Sequence, residues 1–563
     1  MNLLRRTSKE NKRNSDFLDP EDIFLDASNS PGFDENKLEG TFEKPLAHSL
    51  SRVFLFLLII IFSLFGSRLY MMQVVKGDSY KERANKNAIK KIPVFPLRGT
   101  IEDRNGEPLA WNLKNEVSGV LERRYIKVPG FSNVLGYVSY PKKDQSGIFW
   151  QDAYLGKDGV EKQFQGLLQG QNGEQIIEVS ATREIVSNNV LTTATPGKNI
   201  KLSIDAKVQA KMYSEIEKLA KQASFESGAG VIIDARNGEV ISLVNYPEYD
   251  NNLMTNASSA EEKATISSDL VSTHNKFLNR PISGLFIPGS TVKPFMALAA
   301  LEEKVISPYK NIFSSGQLVV KNKYGGPDSI FKDWKAHGYV DMRKAISVSS
   351  DEYFYQVGGG FADQPGLGIK RIYSYMDKFG FEDITGIDLP GEVSGVVPSE
   401  EWKKRKFKDG DWKLGNTYHT SIGQFGFQTT PIELARSYAL IANGHNLVTP
   451  TILLDKKASS TPVDFSDENL RVVREGMRLS AIEGTAHLLT MENVSLAGKT
   501  GTAEVGTNKE KVNSLVAAYF PYENPKYVIV IVMEKAARGN TFGATLAGKE
   551  MMTFLRDETN YTK

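Results

Sequence analysis

Residues 53–67 read VFLFLLIIIFSLFGS, fifteen positions without a charge, and after Arg68 the apolar character resumes as LYMMQVV to Val75. This run constrains the fold more than any other feature. It divides the 563-residue chain into a short N-terminal arm and a large C-terminal body, and 23 such residues have to be kept from water. The uninterrupted part is short for a membrane span, but 53–75 is long enough if the Arg68 side chain reaches an interface. A cleaved signal peptide is the competing reading. No small-residue cleavage site follows the run and about fifty residues precede it, which favours an uncleaved transmembrane anchor over 53–75. By charge alone the flanks argue against an N-inside orientation. Three Lys/Arg lie in 37–52 and six in 76–91, and large downstream domains cross a membrane regardless of such a bias.

The arm, 1–52, has eight basic and ten acidic residues and no sustained period, the signature of a disordered tail. From 76 to about 200 short strand-like runs alternate with glycines, as in RGTIEDRNGEPLAWN (98–112) and LGYVSYP (135–141). Beyond 200 the pattern becomes a larger α/β body. AKVQAKMYSEIEKLAKQA (206–223) has helical period and composition, and AGVIIDARNGEVISLVN (229–245) is two β-rich runs around the turn pair Asn237-Gly238. SLVAAYF and KYVIVIVME flank PYENP as a second hairpin, and a last helix is expected from about Thr545 to Arg556. Hairpins at both ends of a helix-rich middle predict an α/β fold of the α+β kind, one antiparallel sheet packed by helices.

Composition mainly excludes. The chain has no cysteine, which rules out thiolate zinc sites, Fe–S ligation and thiol catalysis. Its six histidines are scattered without metal-ligand spacing, and a net charge of +2 gives no reason to expect a nucleic-acid partner. No metal and no cofactor is expected.

Chemistry points to GLFIPGSTVKPFMALAALEE (284–303), where Ser290 precedes Lys293 by three residues as a Pro-Gly turn meets an apolar helical run. A serine there is a common helix N-cap. It is also where a nucleophile fits: positions i and i+3 share a helix face, a lysine whose basicity is depressed by burial takes a serine proton, and helix N–H groups aim at an oxyanion. Pro294 falls in the first turn, where its missing N–H is harmless. A second S-x-x-K, Ser307 to Lys310, has Pro308 behind the serine and no helical pattern after it. Two further elements follow in order: Ser349-Ser350-Asp351 in the aromatic-rich, helical RKAISVSSDEYFYQV, and Lys499-Thr500-Gly501-Thr502 in the strand-like VSLAGKTGTAEV, where Gly501 admits close approach of a ligand to the backbone. S-x-x-K, then S-x-[ND], then K-T-G is a signature of penicillin-binding proteins and class A β-lactamases.

With these motifs, and with RGTIEDRNGEPLAWN, LSIDAKVQ (202–209), IIDARNGEVISLVNYPEYDNN (232–252), TGIDLPGE (385–392), SIGQFGFQTTPIELA (421–435) and AGKTGTAE, the chain resembles the class B penicillin-binding proteins, and most the elongation-type penicillin-binding protein 2. The resemblance runs from the anchor to the end. It implies a cytoplasmic tail (1–52), an anchor (53–75), a β-rich pedestal or dimerisation-type domain (76–200) and an extracytoplasmic transpeptidase domain (201–563) on the bacterial inner membrane. It further implies a D,D-transpeptidase, inhibited by β-lactams. Ser290 attacks the carbonyl between the last two D-alanines of a peptidoglycan stem peptide, Lys293 is the general base, Ser349 relays the proton and Asp351 positions them. Lys499, Thr500 and Thr502 hold the donor carboxylate, and the N–H groups of Ser290 and Thr502 form the oxyanion hole. The pedestal leaves no room for a glycosyltransferase domain, so a SEDS-family glycosyltransferase and other elongation-complex proteins are the implied partners.

Some residues carry plainer expectations. His337 and His419 read as structural, Asp103 and Arg104 as turn-fixing, WKKRKFKD (402–409) as a solvated face, and Ser350 and Ser421 as neighbours of the site. Two departures from the family stand out. Only eight residues separate Asn112 from Leu121, where relatives carry a sizeable head subdomain, and Phe425 occupies a position commonly glycine. The alternatives are a septal-type transpeptidase, a β-lactam sensor or scaffold that activates a glycan polymerase without turnover, and a β-lactamase. The last needs a deacylating base, and no glutamate is assignable to it.

Overall fold

The computed structural model describes residues 48–114, 121–145, 149–179, 185–323, 325–506 and 508–562. The tail expected over 1–52 lies outside them except for its last few residues. The described residues form two compact units, 48–89, and 90–179 with 185–562.

In the first, helix α1 (His48–Tyr70) runs on through a π turn, Met71–Val75. The stretch Ser49–Val75 is long and apolar enough to cross a membrane, and none of it is buried in protein. At about 1.5 Å per residue it reaches roughly 40 Å, more than a hydrocarbon core of about 30 Å, which leaves Arg68 near one end. Helix α2 (Gly77–Ala88) follows after Lys76.

The second unit opens with strands β1 (Ile89–Val94), β2 (Ile101–Glu102), β3 (Pro108–Lys114), β4 (Leu121–Tyr125), β5 (Gly173–Val179), β6 (Ile185–Thr192) and β7 (Ile200–Lys201), in two small sheets ordered β1-β5-β6 and β7-β2-β3-β4. Lys114 of β3 pairs directly with Leu121 of β4, so the strands on either side of 115–120 are adjacent; 115–120 lie outside the described residues. A buried ion cluster fastens this part. Glu161 accepts Arg98 Nε at 2.6 Å and Arg123 Nε at 2.7 Å, with all three side chains at most 2 % exposed. Burial alone would raise the Glu161 pKa, but the guanidinium groups of Arg123 and Arg98 outweigh it and hold it below the usual carboxylate value.

Asp103 is the turn residue its sequence predicts, and it also reaches further. Its carboxylate accepts the N–H groups of Asn105, Glu107 and Ala206, the last being the first residue of helix α3 (Ala206–Ala223). Arg104 pairs with Glu239 at 3.2 Å. Helix α3 is capped by Asp205 and buries Val208, Met212, Ile216, Leu219 and Ala223, a stripe at helical spacing.

That stripe packs on a five-stranded sheet. Strands β8 (Ser227–Asp234), β9 (Val240–Tyr246), β10 (Ala497–Val505), β11 (Lys511–Phe520) and β12 (Tyr527–Ala537) lie in the order β9-β8-β12-β11-β10, and every neighbouring pair is antiparallel. Gly238 takes φ +82° in the first hairpin turn. In β12, Ile529, Ile531 and Met533 join the core of α3 and α9 (Ala544–Glu558), while Val528, Val530 and Val532 join the opposite core. That second core holds α4 (Lys293–Glu302), α6 (Asp351–Gly359), α7 (Pro431–Asn443) and part of α8 (Asp467–Ile482), with α5 (Met342–Val348) beside them. A strand buried on both faces explains why KYVIVIVME is nearly all apolar. Nine of the ten residues of α4 are buried, so this helix runs through the interior and carries its first residue, Lys293, inside.

Candidate active site

Ser290 sits in a 3₁₀ turn, Gly289–Val292, from which α4 continues. The helix start is therefore tighter than the sequence predicts, and no side-chain cap closes it: Ser290 is not spent on an N-cap bond. The turn lies against β10, the edge strand of the sheet. A Cβ on Gly501 would stand 2.6 Å from the Pro288 carbonyl oxygen, and one on Gly289 would stand 2.8 Å from the Thr502 carbonyl oxygen. Gly289 also takes φ +52°, which suits glycine. Gly501 lines the cleft, and a Cβ there would also meet the Ser290 turn.

Lys293 is fully buried, and its ammonium group reaches three acceptors. Nζ lies 2.5 Å from Asp351 Oδ1, 2.7 Å from the Ser349 carbonyl oxygen and 3.2 Å from Ser349 Oγ. Ser349 and Asp351 are brought there by a break that the sequence pattern did not reveal. The segment read as helical is two helices: α5 ends at Val348, Ser349 takes φ +61°, and α6 restarts at Asp351. Ser350 caps α6 by accepting the Tyr353 N–H, and it donates to buried Asp333, which also accepts the Glu352 N–H at 2.9 Å. Ser350 thus holds the junction from behind, and Ser421 is tied to the carbonyls of Phe354 and Tyr418.

In β10 the side chains alternate. Thr500 and Thr502 are accessible, while Lys499 is wholly buried beneath them and donates to the Thr500 carbonyl oxygen at 3.1 Å. Burial, and next the Lys293 charge, push the Lys499 pKa well below the usual lysine value, with Asp351 opposing them. Ser290, Ser349, Asp351, Thr500, Gly501 and Thr502 all line one cleft of about 510 Å³. Of the eight residues the motifs single out, the structure brings six to this wall and sets Lys293 and Lys499 behind it.

The motifs missed part of the wall. Trp334, Thr485, Ser514 and the loop Asn540–Gly543 also line the cleft, and none carries a local pattern that signals it. The remaining candidates are structural. His337 is buried with Nε2 3.5 Å from Asp333 Oδ1, and burial lowers its pKa. His419 packs on the rings of Phe331 and Tyr355. No three His, Cys, Asp or Glu side chains among the described residues are placed to hold a metal. Ser307 and Lys310 lie on an exposed turn. The 402–409 run is exposed except for Trp402 and for Lys403, which is buried against Asn416 and the Asp411 carbonyl. Phe425 takes φ +58°, a backbone that suits glycine, and packs its ring against Trp402, Phe407 and Trp412.

A serine on a turn at a helix start, a buried lysine one turn on, a second serine in contact with that lysine and a threonine-lined edge strand are the parts of a serine acyl-transfer centre. Residues 228–552 match the penicillin binding protein transpeptidase domain and residues 116–202 the penicillin-binding protein dimerisation domain. The chain belongs to the penicillin-binding protein transpeptidase family. It is similar to the peptidoglycan D,D-transpeptidase MrdA of Haemophilus influenzae, with 29% identity over 87% of this chain and 89% of that one. The D,D-transpeptidase FtsI of Escherichia coli is 27% identical over 70% of this chain and 61% of its own length. Among solved structures, the Helicobacter pylori penicillin-binding protein PBP2 in complex with MreC superposes with a TM-score of 0.68 at 28% identity, covering 83% of this chain and 98% of that one.

Proposed function

We propose that this chain is a membrane-anchored peptidoglycan D,D-transpeptidase that cross-links stem peptides during cell elongation and is a target of β-lactams. The observation that carries the reading is the convergence of three distant motifs, around Ser290, Ser349 and Thr500, on one cleft. The MrdA relative spans both proteins nearly end to end while FtsI covers less of each, which favours the elongation type over the septal one.

In this reading Ser290 Oγ attacks the carbonyl carbon of the penultimate D-alanine. The oxyanion is held by the N–H groups of Ser290 and Thr502, the C–N bond breaks, and terminal D-alanine leaves with a proton. The amine of a second stem peptide then attacks the ester, a peptide bond forms, and Ser290 regains its proton. Lys293 and Ser349 move that proton, and Asp351, 2.5 Å from Lys293, holds the lysine in place. Thr500 and Thr502 meet the donor carboxylate at the cleft wall, with Lys499 acting from behind through its charge.

The apolar helix holds the catalytic unit on the outer side of the bacterial inner membrane, with the N-terminus cytoplasmic. The pedestal is the surface for elongation-complex proteins, including a SEDS-family glycosyltransferase that makes the glycan this protein cross-links; the Helicobacter pylori relative was solved with MreC. The test is to incubate the detergent-solubilised full-length protein with nascent glycan strands and read D-alanine release and cross-linked dimers by mass spectrometry. Dimers and D-alanine in equal amounts are expected. Release of D-alanine without dimers points to a carboxypeptidase, and neither product contradicts the reading.

A further inference from the structure

Thr485 belongs to no catalytic motif, yet it lines the same cleft as Ser290 and Thr502. Its Oγ1 lies 2.8 Å from Oγ1 of Thr500, a hydroxyl–hydroxyl hydrogen bond at the wall where the donor carboxylate is proposed to sit. Its position is firmly set. The Thr485 N–H donates to the Ser347 carbonyl oxygen at 3.1 Å, two residues before Ser349. A Cβ on Gly484 would stand 2.3 Å from that same oxygen, so the backbone passes as close as a glycine permits. Glu483 pairs with Lys344 of α5 at 2.7 Å. The turn after α8 is thus wedged between the helix that ends at Val348 and the strand that carries Thr500.

A hydroxyl has one proton and two lone pairs. In the structure the Thr500 hydroxyl donates to Thr485 Oγ1; when an anionic acceptor enters the cleft both hydroxyls turn, so that Thr485 donates to Thr500 and the Thr500 proton meets the anion. Without Thr485 the Thr500 hydroxyl rotates, and a bond to a carboxylate must first order it. We propose that Thr485 is a positioning residue of the donor-carboxylate subsite: it orients the Thr500 hydroxyl and so sets the preference for a free C-terminal carboxylate. This rests on the transpeptidase reading and adds a residue to it.

The test compares acylation of the full-length protein by a penicillin and by the same penicillin with its carboxylate methyl-esterified, for wild type, Thr485→Val and Thr485→Ser. Valine keeps the shape and removes the hydroxyl; serine restores it. The acid-to-ester ratio of second-order acylation rates is expected to fall about tenfold in Thr485→Val, the size of one hydrogen bond to a charged group, and to recover in Thr485→Ser. The fall should appear in the binding constant more than in the limiting rate. An unchanged ratio, or equal losses with acid and ester, overturns the proposal, because a merely structural defect slows both. Wild-type protein that takes up no penicillin overturns the transpeptidase reading and this inference with it.

Discussion

Two buried clusters in this molecule have the same formula, two cations and one carboxylate, and opposite uses. In the N-terminal part of the second unit, Arg98 and Arg123 close on Glu161 in an almost fully buried core, where a Tyr125 hydroxyl, Gln165 and the Glu161 carbonyl oxygen meet remaining bonding positions. In the catalytic unit Lys293 pairs with Asp351, which is 20 % exposed, and Lys499 lies near enough to feel the charges of both. Arginine is always charged and binds a carboxylate through a rigid fork; lysine carries a point charge that shifts its protonation when buried. The first cluster is built to stay charged. The second holds two lysine charges near each other in a low-dielectric setting, and the Lys499 pKa falls.

Five variants break or sharpen that contrast. Lys293→Met should lower penicillin acylation by about a thousandfold without unfolding the protein, and Lys293→Arg should not restore it, because a general base has to accept a proton and an always-charged guanidinium cannot. Rapid-quench kinetics with labelled penicillin read this. Glu161→Ala should instead cost about 3–5 kcal/mol of stability by leaving two guanidinium groups buried without their anion. A thermal melt reads it, with the acylation rate per folded molecule unchanged.

A third buried carboxylate gives the control. Glu433 is fully buried like Glu161 but accepts bonds from the N–H groups of Gly395 and Thr430 and the hydroxyls of Thr429 and Thr430. Burial raises its pKa from 4.5 to about 7, with those bonds opposing the rise. The folded state therefore binds the proton more tightly than the unfolded chain, so stability should decline as pH rises from about 4.5 to about 7, by about 3 kcal/mol in all. Glu433→Gln should flatten that decline in urea titrations at several pH values.

Lys499 has the opposite linkage. Its folded pKa lies well below the 10.5 of an ordinary lysine, so between the two values the unfolded chain carries the extra proton and stability rises with pH. Lys499→Met should melt higher than wild type, by more at pH 6 than at pH 9, while losing acylation. A gap that widens with pH would contradict the placement of this charge.

Much of this was legible in the sequence, for local reasons. Asn237-Gly238 announces its hairpin, and 206–223 is helical with the boundaries its period gives. The order of the three motifs by itself points to one site. What was not legible depends on contacts distant in sequence. β8 pairs with β12, so Ser227 faces Glu534, and no local pattern encodes that order. The break at Ser349 hides inside a helical stretch because a serine at φ +61° looks like any other serine. Gly501 was legible as a close approach but not as an approach of the Ser290 turn. Thr485 had no signal at all, because its meaning lies in a neighbour fifteen residues away on another element. Phe425 is the converse: an unfavourable backbone for its type, held in place by Trp402, Phe407 and Trp412.

The central claim is that the turn between Pro288 and Lys293 presents a serine to a site assembled from distant elements. Intact-protein and peptide mass spectrometry of the full-length protein after penicillin treatment tests it most directly. The account predicts one penicilloyl adduct per chain, located on Ser290, absent in Ser290→Ala and persisting long after free drug is removed. An adduct on another residue, or labelling that survives Ser290→Ala, would contradict it.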